Sequence, residues 1–289
     1  MTVLRAATRG SPLALWQTRH VAKLIEALHP DVTVEPIVVS TAGDRDKTTP
    51  LHVIGGKGVF VKEVQAAVLD GRADFAVHSA KDLPALTPEG LTIAGVPKRA
   101  DRRDALVGSM LDELPAGARV GTGSIRRRVQ LQSVRPDIEV VEIRGNIDTR
   151  LGLVGELDAI VMASAALERL GRTPDTVEHL DPQFMIPQVG QGSLAIEAAA
   201  DNDDVCALLK ALDHPSSRRE LVAERAFLAE LGGDCDLPAG ATAHIAESGE
   251  MVLRGMLAEG AQLARGEAAN SDDVVAGTEL AVSLREQLA

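Results

Sequence analysis

Aromatic residues and cysteines are scarce in this chain. Aromatics make up 2% of the 289 residues, with no tyrosine and one tryptophan, so few side chains are available to stack on the bases of single-stranded nucleic acid. The two cysteines, Cys206 and Cys235, form no CxxC pair, which excludes a disulfide framework and a cysteine zinc site, and we expect no metal. No long apolar run opens the sequence, so we expect neither a signal peptide nor a membrane span, and a cytoplasmic location.

Lysine is also rare, although positive charge is not. The formal net charge of −12 argues against nucleic-acid binding by the surface as a whole. Arginine outnumbers lysine 23 to 7. Codon bias in a GC-rich genome would explain this ratio, and so would a site that needs rigid guanidinium groups for carboxylates or phosphates. The positions of the arginines along the chain have to decide between the two explanations.

Strand and helix patterns alternate along most of the chain, which predicts a layered α/β fold. The charged stretch 97–103, PKRADRR, interrupts the alternation and is interpreted as a crossover or hinge between two α/β lobes. The apolar stretch 193–198 could return to the first sheet. From residue 216, a long helix and two short strands joined by the turn Ser248-Gly249 indicate a small α+β domain. We therefore expect one lobe at 1–97 with 193–212, a second at 101–190 and a third domain at 215–289.

The individual elements follow from periodicity and from turn residues. The predicted strands cover 3–7, 33–39, 75–77, 91–96, 118–121, 139–143, 159–162, 242–247 and 251–257. The predicted helices cover 12–28, 59–69, 125–134, 146–153, 163–170 and 216–231, with a terminal helix from about 271, and 182–192 reads as a loop. Open α/β sheets bind ligands at the carboxyl ends of their strands, so a crevice between the lobes is the expected site.

The stretch GTGSIRRR (121–128) follows a strand and opens a helix. Backbone N–H groups at a helix N-terminus, together with the hydroxyls of Thr122 and Ser124, favour an anion. Arg126 and Arg127 lie in the first turn, where cations oppose the helix dipole unless an anion is bound. A solvated basic face is the alternative interpretation. The spacing is not that of a Walker A motif.

Two further strand ends carry arginines. In EIRGNIDTR (142–150), Arg144 ends a strand, Gly145 allows a tight turn and Arg150 follows about one helical turn later. In TRGS (8–11), Arg9 and Ser11 repeat the arrangement in the first lobe. Codon bias does not explain this repeated placement. Arg169, near the end of a predicted helix, is a weaker candidate, because a cation at that position also complements the helix dipole.

Asp82 lies in AVHSAKDLPA (76–85), where a short buried strand meets a loop. A carboxylate at a strand end that faces an arginine-lined crevice can stabilise a cationic intermediate and move protons. An Asx turn before Pro84 is the alternative. The stretch GGKGVF (55–60) places Lys57 among three glycines, which suits either a flexible flap that carries one cation or a mobile loop before a helix.

Cys235 lies in LGGDCDLPAG (231–240), where glycines and a proline predict an exposed loop. The neighbouring acids Asp234 and Asp236 disfavour a thiolate, which argues against a protease-type nucleophile. Alkylation of the Cys235 thiol by a strong electrophile, once, is still compatible with this environment. Cys206 lies on a predicted apolar helix and is interpreted as a small buried hydrophobic residue instead.

Seven motifs resemble, in this order, the porphobilinogen deaminase family, also called hydroxymethylbilane synthase, from residue 4 to about residue 240. They are ATRGSPLALWQ, GGKGVFVKE, AVHSAKDLP, GTGSIRRR, RGNIDTRL, VGQGSLAIE and GGDCDLPAG. The resemblance implies an enzyme that condenses four porphobilinogen molecules head to tail, releases ammonia at each step and forms the linear tetrapyrrole hydroxymethylbilane. It also implies two lobes like those of a periplasmic binding protein, joined by a hinge, and a small third domain.

The same resemblance implies a dipyrromethane cofactor, attached through a thioether to Cys235, and a catalytic carboxylate at Asp82. Each porphobilinogen carries an acetate and a propionate, which suit guanidinium groups, and the loss of ammonia leaves a cationic azafulvene that a carboxylate can offset. The residues implied to hold the cofactor are Asp82, Lys81, Ser79, Thr122, Ser124, Arg126, Arg127 and Arg150. Those implied to lie towards the substrate are Arg9, Ser11, Arg144, Gly145, Arg150 and Arg169.

The segment 41–60, with Lys57 and Phe60, corresponds in the family to a mobile loop over the site. Porphobilinogen is the expected small-molecule partner, and we expect a monomer with no nucleic-acid or membrane partner. Four positions depart from the family pattern: Asp234 stands in place of a glycine, Ala80 in place of a methionine, and Val53 and Ala42 where some relatives carry basic residues. Asp234 puts the geometry of the cysteine loop in doubt, Ala80 affects packing, and the other two weaken the hold of the flap on carboxylates.

Two other classes of protein agree with parts of the pattern. A two-lobed anion-binding protein without chemistry would explain the lobes and the arginines, but it requires neither Cys235 nor the third domain. A cysteine-dependent hydrolase needs a histidine base, and the nearest in sequence, His244, has no evident acid to orient it.

Overall fold

The computed structural model describes residues 2–41, 43, 61–232, 237–260 and 262–289. The chain divides into two compact units, Met1–Arg99 with Ser193–Arg218, and Ala100–Gly192 with Arg219–Ala289. The strands are β1 (Thr2–Arg9), β2 (Val32–Val39), β3 (Phe75–Ser79), β4 (Leu91–Gly95), β5 (Asp104–Val107), β6 (Arg119–Gly121), β7 (Glu139–Val141), β8 (Ala159–Ala163), β9 (Val177–His179), β10 (Leu194–Ala199), β11 (Ala239–Ile245), β12 (Met251–Glu259) and β13 (Gln262–Asn270). The helices are α1 (Pro12–Leu28), α2 (Lys62–Leu69), α3 (Ile125–Val134), α4 (Ile147–Leu151), α5 (Ser164–Arg169), α6 (Asp203–Lys210), α7 (Pro215–Glu230) and α8 (Asp273–Leu288), with 3₁₀ turns at Ala80–Asp82 and Leu111–Glu113.

The sheet of the first unit has the strand order β2-β1-β3-β10-β4. β1 runs parallel to β2 and β3, whereas β10 runs antiparallel to β3 and β4. The chain therefore returns to this sheet through β10, as the stretch 193–198 predicted. One face of the sheet packs on α1 and α6 and the other on α2. A largely parallel sheet that is buried on both faces leaves the ends of its strands as the place for polar chemistry.

Helix α1 begins where the sequence predicted. The Ser11 hydroxyl accepts a hydrogen bond from the backbone N–H of Ala14 at 3.3 Å, and Pro12 occupies the first helical position. The buried residues Val21 and Ile25 face the sheet. The turn between β1 and α1 is therefore short and capped, and it holds Arg9 at the carboxyl end of its strand.

The sheet of the second unit has the order β7-β6-β8-β5-β9. β6 runs parallel to β7 and β8, and β5 runs antiparallel to β8 and β9. β5 and β9 were not predicted, because β5 has only four residues and directly follows the charged stretch 97–103, and β9 is a three-residue segment without apolar alternation. The predicted β7 and α4 are too long, by two residues and by three residues respectively.

The third sheet is an antiparallel meander of β11, β12 and β13, and α8 packs on its last two strands. The hairpin between β11 and β12 turns at Gly249, which has φ +89°, as the sequence predicted. β13 was missed because its sequence, QLARGEAAN, is made of small and charged residues. Helix α8 lies close to α7 at Gly277, where an added Cβ would overlap the backbone of Ala223.

The fold class is thereby confirmed as α/β, with two mixed five-stranded sheets and a small C-terminal sheet of three strands that packs on a helix. The limits of the three domains given above stay a prediction. In the part of the chain that the structure describes, no helix combines the length and the apolar character needed to cross a membrane.

Candidate active site

Asp82 ends the 3₁₀ turn Ala80–Asp82, which follows β3 directly. The turn is held by two backbone hydrogen bonds, from Ala80 to the carbonyl of Ser193 at 3.0 Å and from Leu83 to the carbonyl of Ala80 at 3.2 Å. Asp82 itself is partly exposed. Among the described residues no N–H group hydrogen-bonds its carboxylate, so an Asx turn before Pro84 has no hydrogen bond to support it. The carboxylate is available for chemistry at the end of a buried strand.

The other candidates of the first unit lie at the same edge of the sheet. β1 and β3 are parallel neighbours, so Arg9 at the end of β1 and Ser79 at the end of β3 lie at the same edge. Ser79 accepts a hydrogen bond from Nε2 of Gln17, on α1, at 2.7 Å. Ser11 caps α1 beside this edge, and Lys81 is half-buried in the turn next to Asp82. The topology thus brings the described candidates of this unit to one edge, namely Arg9, Ser11, Ser79, Lys81 and Asp82.

In the second unit, Arg126 and Arg127 are buried rather than solvated. Nη2 of Arg127 lies 2.8 Å from Oδ1 of Asp104, and Nη2 of Arg126 lies 2.8 Å from Oδ2 of the same residue. The contact of Arg127 is a hydrogen bond, whereas that of Arg126 has the distance of an ion pair without the direction of a hydrogen bond. Asp104 is fully buried. The alternative of a solvated basic face is therefore wrong, and the anion that makes arginines acceptable in the first turn of α3 includes a protein carboxylate.

Electrostatics keeps Asp104 ionised. Burial alone would raise the pKa of its carboxyl group, but the charges of Arg126 and Arg127 and hydrogen bonds from Gln191 and Arg127 outweigh burial and lower the pKa to about 2. Burial also lowers the pKa of Arg126. Asp104 neutralises only one of the two guanidinium groups that contact it, so positive charge is left over.

The start of α3 is capped by hydroxyls that the sequence singled out. Ser124 is the N-cap, and its hydroxyl accepts a hydrogen bond from the N–H of Arg127 at 3.4 Å. Thr122 is buried, and its hydroxyl accepts a hydrogen bond from the N–H of Ser124 at 3.2 Å. Both hydroxyls therefore order the turn that presents the arginines.

Arg144 and Arg150 increase the positive charge of this unit. Burial, together with the positive charges of Arg127 and Arg144, lowers the pKa of Arg150 to about 10. Nε of Arg150 donates to the carbonyl of Gly145 at 2.9 Å. Nη1 of Arg144 is buried and has no hydrogen-bond partner among the described residues. Within the described ranges no carboxylate forms an ion pair with Arg144 or Arg150, so their charges are available to an external anion.

Gly145 is required by the geometry of this turn. Its φ of +110° is in the left-handed region, and an added Cβ would lie 2.7 Å from Cγ2 of Thr149. Asn146 caps α4 by accepting a hydrogen bond from the N–H of Thr149 at 2.9 Å. The tight turn sets the positions of Arg144 before it and Arg150 after it.

Arg169 ends α5 and is buried. Its Nη2 donates to the carbonyl of Gly192 at 2.7 Å, and burial lowers its pKa to about 10 although Glu168 raises it. Gly192 has φ +86°, and an added Cβ would lie 2.6 Å from the carbonyl oxygen of Ala100. Arg169 thus holds the place where the loop 182–192 passes the segment before β5.

Residues 233–236 of the cysteine loop and residues 42 and 44–60 of the flap lie outside the described residues. They include Cys235 and Asp234, and Lys57, Phe60, Val53 and Ala42. The elements on either side of the cysteine loop are α7, which ends at Glu230, and β11, which begins at Ala239. An added Cβ at Gly240 would lie 2.6 Å from the carbonyl oxygen of Pro187 and 2.9 Å from Cδ of Arg126. The C-terminal end of the loop is therefore fixed next to the buried arginine.

Two other expectations concern single residues. Ala80 is buried at the base of the Asp82 turn, which agrees with an effect on packing alone. His244 is exposed on β11, and no carboxylate among the described residues pairs with it, so a hydrolase triad has no support there. No group of three or more histidine, cysteine or acidic side chains in the described ranges could hold a metal ion.

Sequence reasoning missed three residues of this region, namely Asp104, Gln17 and Gln191. Asp104 lies between an arginine-rich stretch and the apolar run ALV. Its position at the start of an apolar strand is the one sequence feature that could have indicated a buried acid. Gln17 and Gln191 had none, because an amide that contacts a residue distant in sequence leaves no local pattern.

Comparisons with known proteins agree with this arrangement. Residues 4–207 match the family described as porphobilinogen deaminase, dipyromethane cofactor binding domain, and residues 219–289 match the porphobilinogen deaminase C-terminal domain. The chain thus contains a cofactor-binding domain and the C-terminal domain that accompanies it. It belongs to the porphobilinogen deaminase family.

Individual relatives extend over most of the chain. The porphobilinogen deaminase of Roseiflexus sp. (strain RS-1) is 48% identical over 288 residues, which cover 97% of this chain and 95% of the relative. That of Syntrophus aciditrophicus (strain SB) is 47% identical over 260 residues, covering 88% of this chain and 84% of the relative.

Among solved structures, an amino acid ABC transporter substrate-binding protein from Streptococcus pneumoniae has a TM-score of 0.42 at 15% identity, covering 73% of this chain and 86% of that protein.

The donor set fits a dipyrromethane. A molecule of two pyrroles, each with an acetate and a propionate, carries several carboxylates, and the second unit offers guanidinium groups in excess of its buried acid. The buried, unpartnered Nη1 of Arg144 and the lowered pKa of Arg150 are the two observations that fit an anionic ligand here.

Proposed function

We propose that this chain is a hydroxymethylbilane synthase, a transferase that condenses four porphobilinogen molecules head to tail. The observation that carries the proposal is the uncompensated charge of Arg144 and Arg150 in the second unit, where Asp104 is already shared by Arg126 and Arg127. Arg126 and Arg127 are buried and Arg144 and Arg150 are half-buried, and cations that are partly removed from water cost free energy unless an anion joins them. A polycarboxylate pyrrole is such an anion.

The binding step uses guanidinium groups because they pair with carboxylates through two parallel N–H bonds. The residues proposed to hold the cofactor are Lys81, Ser79, Thr122, Ser124, Arg126, Arg127 and Arg150, with Asp82. The residues proposed for the incoming substrate are Arg9, Ser11, Arg144, Gly145, Arg150 and Arg169, and Lys57 and Phe60 belong to the proposed loop over the site.

Asp82 is the proposed catalytic residue. In each condensation the bond between the aminomethyl carbon and nitrogen breaks, ammonia leaves, and that carbon bonds to the free ring carbon of the growing chain, which then loses its proton. The cationic substrate that exists after ammonia has left is stabilised by a nearby carboxylate. The same carboxylate can accept the ring proton, because it follows a rigid strand end and no N–H group of the described residues occupies it.

Cys235 is the proposed attachment point of the dipyrromethane, which supplies the first pyrrole to which the substrate is coupled. The role of the protein around it is to hold carboxylates and to keep water from the cationic substrate. Porphobilinogen is the proposed partner of a cytoplasmic monomer, and neither nucleic acid nor a membrane is proposed. The three domains are proposed to be 1–97 with 193–212, 101–190, and 215–289, the last with the cysteine.

The test is turnover of porphobilinogen by the purified protein, with ammonia and the pyrrole product measured in parallel. Four ammonia molecules for each linear tetrapyrrole are expected. If the purified protein consumes no porphobilinogen, the proposal is contradicted. Tight binding of porphobilinogen without ammonia release would instead favour a two-lobed anion-binding protein.

A further inference from the structure

A histidine and a glutamate are buried together in the first unit. Nε2 of His78, on β3, lies 3.1 Å from Oε2 of Glu197, on β10, and both residues are at most 5% exposed. The contact has the distance of an ion pair without the direction of a hydrogen bond, and Oε1 of Glu197 has no hydrogen-bond partner among the described residues. Replacing a buried pair of this kind by well-packed apolar residues of similar volume is often neutral or stabilising, so the pair is weak evidence for a role in stability.

The pair has a third member on a different element. Nε2 of Gln65, on α2, donates to Oε2 of Glu197 at 2.8 Å in the buried interior. In the register of β3 and β10, His78 lies opposite Ala195, two residues from Glu197, so both side chains point to the sheet face that packs on α2. Glu197 therefore connects α2 to the end of β3.

The opposite face of the same strand end is also held. Ser79, the next residue, points the other way and accepts a hydrogen bond from Gln17 of α1 at 2.7 Å. The backbone N–H of Ala80 then donates to Ser193 at 3.0 Å. The residues immediately before Asp82 are thus held from α2, from α1 and from the neighbouring strand.

We propose that Glu197 is a positioning residue for Asp82: with His78 and Gln65 it fixes the end of β3, so that the Asp82 turn presents its carboxylate in one orientation. This inference rests on the proposed function, because it assigns Asp82 a catalytic role. The location supports it. A polar cluster replaces apolar packing at the end of the strand that precedes Asp82, and exceptions to apolar packing concentrate at functional sites.

The magnitude follows from geometry. A catalytic group must be held within a fraction of an ångström, and a displacement of about 1 Å costs on the order of a hundredfold in rate. Glu197 contacts neither Asp82 nor a residue assigned to substrate. Loss of Glu197 should consequently lower kcat and leave KM near its normal value, since the arginines that bind the substrate carboxylates are unchanged.

The test compares kcat per cofactor-bearing chain, with intact mass giving the fraction of chains that carry the adduct. Glu197→Leu should lower this kcat roughly ten- to a hundredfold with KM within about twofold. Glu197→Gln, which keeps an acceptor for Gln65 but loses the charge beside His78, should lose roughly three- to tenfold.

Asp74→Asn is the matched control, because Asp74 precedes β3 at its other end and pairs there with Arg5 at 2.8 Å. It should lower stability and leave kcat unchanged. A normal kcat per cofactor-bearing chain in Glu197→Gln, whether or not Glu197→Leu folds, would overturn the inference, and so would an equal loss of kcat in Asp74→Asn. If the wild-type protein does not turn over porphobilinogen, the proposed function fails; if it does and the Glu197 variants match it, only this inference fails.

Discussion

The carboxylate of Asp104 and the guanidinium of Arg127 are hydrogen-bonded at 2.8 Å in the interior of the second unit. Arg127 also donates to the carbonyl of Val161 at 3.0 Å, which ties the first turn of α3 to β8. Arg126 shares the same carboxylate and donates to the carbonyl of Ile186 at 2.6 Å. One buried acid therefore orders the basic helix start on which the proposed cofactor site depends.

Replacing this acid should destabilise the protein strongly. Asp104→Asn leaves two buried guanidinium groups without a counter-charge, and breaking a buried pair costs about 3–5 kcal/mol. We expect a clear decrease in the urea midpoint at pH 7. An unchanged midpoint would show that Asp104 does not order this region.

The low pKa of Asp104 also predicts how the stability of the protein depends on pH. The folded-state pKa of Asp104, about 2, is below the ordinary value of 3.8, so its stabilising effect is complete above pH 3.8 and is lost as pH falls towards 2. That loss is about 2 kcal/mol. The difference in urea midpoint between wild type and Asp104→Asn should therefore narrow as the pH is lowered from 5 to about 2. Parallel curves would contradict the assigned cause.

Gly145→Ala should impair binding at the turn between β7 and α4. A Cβ at this residue meets Thr149 and demands a left-handed φ, so the turn must shift and move Arg144 and Arg150. We expect KM for porphobilinogen to rise severalfold. Gly155→Ala is the control, because Gly155 also has a positive φ, +103°, but open space around it. Equal effects of the two substitutions on KM would argue against a specific role for this turn.

Arg150→Gln should separate binding from stability. It removes a cation whose pKa is lowered by burial and by neighbouring cations, so the thermal midpoint should stay close to that of the wild type. A charged hydrogen bond to a carboxylate is worth about 1.5–3 kcal/mol, so the affinity for porphobilinogen should fall roughly tenfold or more. The control, Arg172→Gln, removes an exposed cation that pairs with Asp148 at 2.7 Å and should leave affinity unchanged. Normal affinity in Arg150→Gln would remove this residue from the site.

Sequence reasoning predicted the strand-to-helix junctions well and the contacts between them poorly. Ser11, Ser124 and Asn146 were identifiable as caps because capping depends on residues within one turn. The burial of Arg126 was not, because it depends on Asp104, which is distant in sequence. Short strands such as β5 and β9 were missed for the same reason: their pairing partners, not their own pattern, define them.

The catalytic role assigned to Asp82 can be tested with a variant that replaces one carboxylate oxygen by an amide nitrogen. Asp82→Asn keeps the size of the side chain and removes the charge and the proton acceptor. We expect the same thermal midpoint and similar binding of porphobilinogen, with turnover lowered roughly a hundredfold or more, as for loss of a general base. Near-normal ammonia release by Asp82→Asn would refute the catalytic role.

Intact mass is the most direct test of the central claim, that a dipyrromethane is bound covalently through Cys235. The purified protein should weigh more than its sequence by about two pyrrole units, the size expected of the cofactor in this family, and Cys206→Ser should carry the same adduct. Cys235→Ser should have the mass of the bare sequence and no turnover. A bare-sequence mass together with full activity in the wild-type protein would contradict the account.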